Sequence, residues 1–93
     1  MIFLKKIILL LKDQTINSYQ NIIKLDMRGT PYNETDWVGI FKQGNEYVRN
    51  NLLAWTYITP DNIDNNLYGG IQTLLTVDKN GLAAGLYDIV YYT

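Results

Sequence analysis

Apolar and polar side chains alternate along much of this chain with the period of two that an extended backbone imposes. The clearest case is residues 23–28, where Ile23, Leu25 and Met27 interleave with Lys24, Asp26 and Arg28. One face of such a strand is apolar and the other charged. Residues 36–42 alternate differently: Trp37, Gly39 and Phe41 share one face, Val38 and Ile40 the other. Residues 52–59 are rich in aromatic and β-branched side chains (Trp55, Thr56, Tyr57, Ile58), which favour a pleated, half-buried surface. Residues 70–77 and 86–92 read as two more strands. Residues 7–11 form a short continuous apolar run, consistent with a strand covered on both faces. Helical periodicity is never sustained; residues 46–52 hold one helical turn at most.

Turn chemistry separates these segments. Asn17-Ser18, the stretch 29–33 with its Gly-Thr-Pro, and Gln43-Gly44-Asn45 each interrupt the alternation. Residues 60–66 form a long polar loop by composition. Asp78-Lys79-Asn80-Gly81 is a strong turn signal, because Asn and Gly tolerate positive φ. Several short strands separated by turns predict an all-β sandwich or barrel. The 93 residues amount to a single domain, 1–93.

Composition narrows the chemistry. A hydrophobic fraction of 47% is that of a globular chain and argues against disorder. A net charge of −1 provides no drive toward a phosphate backbone, so no nucleic-acid partner is expected. There is no cysteine and no histidine. Thiol chemistry, disulfides, the commonest metal ligand and the commonest neutral-pH base are thereby removed. Ser18 is the single serine, so a Ser-His-Asp site is excluded. The N-terminal run after Lys5-Lys6 is too short for a secretory core or an integral membrane segment, and Lys12-Asp13-Gln14 follows it. No cleavable signal is evident, and a cytoplasmic location is the default.

Two positions refine the topology. Leu82-Ala83-Ala84-Gly85-Leu86-Tyr87 has the Leu, Gly and Tyr arrangement with which immunoglobulin-like sandwiches pin the start of their sixth strand, the tyrosine hydroxyl bonding upstream backbone. Trp37 then fits the buried tryptophan of the third strand. The positions that carry cysteines in antibody domains fall near Leu25 and Ile89, where packing replaces a disulfide. The expected fold is an immunoglobulin-like antiparallel β-sandwich.

The stretch Asp36-Trp37-Val38-Gly39-Ile40-Phe41-Lys42-x-Gly44 resembles the signature strand of SKICH domains and of SKICH-like immunoglobulin-type modules attached to bacterial extracellular phosphoesterases. Leu53-Ala54-Trp55-x-Tyr57 and Ala84-Gly85-x-Tyr87-Asp88 look more like the bacterial modules, and the resemblance covers roughly residues 20–93. It implies a non-catalytic module that acts in membrane targeting or adaptor binding. Such domains continue into a seventh strand, whereas this chain stops at Thr93, so the sandwich is expected to lack its last strand. An unpaired edge at residues 90–92 is a template for another strand. The N-terminal apolar segment fills it, a partner fills it, or the chain is a fragment.

Candidate binding residues follow from the aromatics. Tyr91 and Tyr92 point to opposite faces, so at least one is expected outward or in an interface, where tyrosine is enriched. Trp55 and Tyr57 share a face and offer an aromatic platform. Asp61 and Asp64 match no Ca²⁺ loop, and no metal or cofactor is expected. Glu34 and Asp36 form a close carboxylate pair, but nothing near them indicates a pocket; Asp36 is expected to bond local loop backbone. Catalytic residues are therefore not assigned. The primary expectation is a non-catalytic interaction module that meets a protein partner, or a second copy, through a sheet edge or face by way of Tyr91, Tyr92 and residues 7–11. The alternative is an accessory carbohydrate- or lipid-head-group-binding domain of a larger, phosphoesterase-type protein, using Trp55 and Tyr57.

Overall fold

The computed structural model describes residues 7–16, 19–62 and 65–93. Eight strands run in chain order: β1 (Ile7–Ile16), β2 (Ile22–Asp26), β3 (Trp37–Lys42), β4 (Ala54–Tyr57), β5 (Pro60–Asn62), β6 (Asn65–Gly69), β7 (Ile71–Thr76) and β8 (Gly85–Tyr92). Six of them make one antiparallel sheet in the order β1-β8-β3-β4-β7-β2, while β5 and β6 form a separate two-stranded hairpin. The large sheet curls so that β2 and β7 face β8 and β3, which gives an all-β sandwich.

Period-two alternation places the core. Leu25 and Met27 from the β2 region, Leu74 from β7, Val38 and Ile40 from β3, and Ile89 from β8 converge between the layers. Leu25 and Ile89, the two positions where a disulfide would span an antibody domain, both belong to this apolar cluster. Lys24, Asp26 and Arg28 lie on the exposed side as their alternation requires. The Tyr87 hydroxyl donates to the Ala83 carbonyl at 2.6 Å, the corner bond expected at the start of β8. The turn before it also forms as read: Asp78 accepts the Asn80 N–H at 2.9 Å, and Gly81 sits at φ +91°.

Trp37 departs from expectation. The β3 side chains in the main core are Val38 and Ile40, and Trp37 lies half-buried on the other face. There the connection 43–53, with a short 3-10 turn at Arg49–Asn51, folds back over the sheet. It covers a second, smaller cluster of Phe41, Val90 and Tyr92, against which Trp37, Tyr47 and Leu52 pack. Gly39 makes this return possible: a Cβ there would lie 2.5 Å from Leu52 Cδ1.

Two further differences matter. The polar stretch after residue 59 is not a plain loop, since β5 and β6 pair there, Pro60 opposite Gly69 and Asn62 opposite Asn65. Asn17, Ser18 and Asp64, singled out above, lie outside the described residues. The second difference concerns the C-terminal edge. β8 pairs with β3 on one side and with β1 on the other, Ile7 opposite Tyr92 through Ile16 opposite Gly85. The N-terminal segment fills the gap from within the chain and is longer than the predicted run 7–11, so residues 90–92 are not an open edge. Among the described residues, no helix is long and apolar enough to cross a membrane.

Candidate functional site

Antiparallel register assembles an aromatic surface on the outer face of the sheet. Trp37 on β3 stands opposite both Tyr92 on β8 and Tyr57 on β4. Trp37 and Tyr92 therefore stack, with ring centroids 3.9 Å apart and planes 1° from parallel. Trp55, two residues before Tyr57, stands opposite Gly39, where no side chain blocks it. Its ring meets Tyr57 edge-on at 5.2 Å and Trp37 edge-on at 6.0 Å. Four aromatic rings from three neighbouring strands thus form one continuous ledge.

The connection over β3 and β8 makes the opposite wall. Tyr92 donates its hydroxyl to the Tyr47 carbonyl at 2.7 Å, and Tyr47 donates its own to the buried Asp88 carboxylate at 2.8 Å. These bonds, with Phe41 and Leu52 beneath, fix the wall on the sheet. Between wall and ledge lies a depression of about 380 Å³, lined by Trp37, Trp55, Tyr57 and Tyr92 on one side and by Arg49 and Leu52 on the other. A second depression of about 400 Å³ adjoins it and is lined by Glu34, Thr35, Trp37 and Tyr57. Trp37 and Tyr57 border both.

The electrostatics are simple. Among the described residues, Arg49 is the single formal charge lining the first depression and Glu34 the single one lining the second. Burial raises the Tyr92 hydroxyl above the ordinary tyrosine value, so it stays a neutral donor. Among the described residues no three Asp, Glu, His or Cys side chains cluster closely enough to hold a metal ion. Asp36 is buried and occupied: its carboxylate accepts the Asn33 N–H at 2.9 Å, the loop bond expected of it, and also the Tyr91 hydroxyl.

The four predicted binding residues separate. Trp55 and Tyr57 share the ledge and remain 40% and 55% exposed. Tyr92 joins them, but as buried floor. Tyr91 points the other way into the main core and bonds Asp36. Tyr91 and Tyr92 are only 5% and 7% exposed, so neither faces outward as expected. The cause is that β8 lies between two strands and the 43–53 connection covers its outer face. Trp37, Arg49 and Leu52 were not singled out as binding residues. The alternation of β3 placed Trp37 on the face opposite Val38, but the return of the connection over that face carries no periodic signal. Comparison of the chain with protein-family models, with characterised proteins and with solved structures finds no match.

Proposed function

We propose that this protein is a non-catalytic carbohydrate-binding module whose site is the aromatic groove over β3 and β4. The observation that carries the reading is the pair Trp55 and Tyr57, which keep much of their ring surface in water beside a rigid Trp37 and Tyr92 stack. Large aromatics held exposed in a concave site mark a ligand surface. The flat C–H face of a sugar ring covers such rings, while its hydroxyls meet Arg49 and the Tyr57 hydroxyl at the rim. The strand on which the SKICH-like resemblance rests supplies Trp37 to the ledge, in keeping with an accessory module. Among the described residues, the first depression has no carboxylate in its lining and the second has one, so neither lining supplies a carboxylate pair for acid–base chemistry.

Tryptophan fluorescence titrated with soluble oligosaccharides tests this. Saturable quenching is expected, lost in Trp55→Ala and weakened about tenfold in Tyr57→Ala, each an exposed ring whose removal leaves the core intact. No spectral change with any glycan would overturn the reading.

A protein partner remains a second reading, now through the sheet face rather than the β8 edge. Ile22 on β2 stands opposite Leu75 on β7, and Leu75 opposite Trp55; Ile71 and Val77 extend the same exposed apolar surface. Light scattering over a concentration series tests self-association through it. A dimer abolished by Leu75→Lys supports this reading, and a monomer at all concentrations removes self-association from it.

A further inference from the structure

Resting on the carbohydrate reading of the groove, we propose that its ligand is an acidic glycan of at least two units, with a carboxylate-bearing sugar seated against Arg49. The setting of Arg49 leads there. Arg49 lines the first depression, and among the described residues its side chain takes part in no hydrogen bond or ion pair, the ion pair formed being Arg28 with Asp26. A guanidinium beside an aromatic ledge offers planar, forked donors suited to a carboxylate. Arg49 is exposed to solvent, so its guanidinium is open to a carboxylate carried by the ligand.

The second depression extends the site. It shares Trp37 and Tyr57 with the first, so a chain lying along the ledge passes from one to the other without leaving aromatic surface. Its charge is opposite. Glu34 accepts hydrogen bonds from sugar hydroxyls and repels a second carboxylate. The arrangement therefore gives direction: the acidic unit sits at the Arg49 end, and a hydroxyl-rich face of the adjoining unit meets Glu34. Tyr57, between the two, contacts both units.

The test uses the full chain and a panel of defined sugars: trisaccharides with a single uronate at one end and two neutral hexoses, the all-uronate trigalacturonate, the neutral cellotriose and mannotriose, and the uronate monomers. Affinities are read by calorimetry at low and high salt. At least one acidic trisaccharide is expected to bind about tenfold more tightly than either neutral one, with the advantage shrinking in high salt. Arg49→Gln removes that preference by weakening acidic binding far more than neutral binding, and Arg49→Lys restores part of it. Glu34→Gln alters trisaccharide affinity but not monomer affinity. Equal binding of acidic and neutral trisaccharides, unchanged in Arg49→Gln, overturns the inference and leaves the carbohydrate reading standing. Monomers binding as tightly as trimers overturn the second subsite. Failure of every glycan in the panel overturns the inference together with the reading on which it rests.

Discussion

Gln72 shows how much one side chain can hold. It is fully buried in β7 opposite Leu25, an apolar environment that penalises an unpaired amide. The penalty is met in full. Its Oε1 accepts the Thr59 N–H at 2.8 Å and the Thr59 hydroxyl at 3.1 Å, and its Nε2 donates to the Thr59 and Gly70 carbonyls at 2.9 and 3.1 Å. The amide thereby clamps both ends of the β5 and β6 hairpin to the core. Gln72→Leu keeps the volume but strands the Thr59 N–H, while the Thr59 and Gly70 carbonyls keep the Gly70 and Met27 N–H groups, so a loss of about 1–3 kcal/mol is expected in urea unfolding. Leu25→Ala, a cavity of known kind at the facing position, serves as a comparison; exchange of the Thr59 amide should quicken in the first variant more than in the second.

Elements fail or hold by their connections. Gly81 adopts a left-handed φ, and a Cβ there would meet the Gln20 carbonyl oxygen at 2.5 Å. Gln20 and Leu82 exchange backbone bonds at this point, tying the turn after β7 to the segment before β2. Gly81→Ala therefore combines backbone strain with a clash against rigid main chain. A loss of at least about 2 kcal/mol is expected, seen as a lowered thermal midpoint. The strand β1 carries a different risk. Its pairing to β8 closes the edge that would otherwise present Tyr92, Tyr91 and Val90 backbone to other chains. A chain lacking residues 1–16 should aggregate, and a synthetic peptide of residues 7–16 added in excess should restore a soluble monomer. Failure of that peptide to change the aggregation measured by light scattering would count against β1 as the cover of β8.

For the whole molecule, acid–base behaviour follows from which groups change environment on folding. With no histidine and no cysteine, no side chain has an ordinary pKa between those of the carboxylates and tyrosine. Stability should be nearly flat from about pH 5 to about pH 9. Above that range it should fall. Burial raises the Tyr91 and Tyr92 hydroxyls above 10.0, and the bond to Asp36 adds to the effect at Tyr91. A raised value in the folded state means that the stabilisation is complete below 10.0 and is lost as pH climbs toward the folded values. At the acid end, the Arg28 guanidinium beside Asp26 lowers that carboxyl to about 2. Its contribution is present above 3.8 and lost as pH falls through about 2, and it is small because the pair is exposed and screened by water. Denaturant midpoints measured across pH 2–12 check both ends; a sharp change near pH 7 would contradict the assignment.

Much of the fold was legible because its signals are local. Alternation at Ile23, Leu25 and Met27 and at Val38 and Ile40 identifies strand faces, since a pleat allows no other period. The Asp78 to Gly81 turn and the Tyr87 corner were equally readable, each depending on bonds that span only a few residues. The β5 and β6 hairpin was not, because its polar composition resembles a loop and its support comes from Gln72 across the chain. Nor could the sequence decide which of three fates awaited the edge at residues 90–92, since strand pairing depends on hydrogen bonds that carry no side-chain code. Trp55 and Tyr57 were singled out as a shared face, while Tyr91 and Tyr92 were placed too near the surface. Only the tertiary structure put β1 beside β8, folded residues 43–53 over β3, and so buried two tyrosines while assembling Trp37, Trp55, Tyr57 and Arg49 into one groove. Local periodicity determines which way each side chain faces; what covers that face is settled by long-range packing.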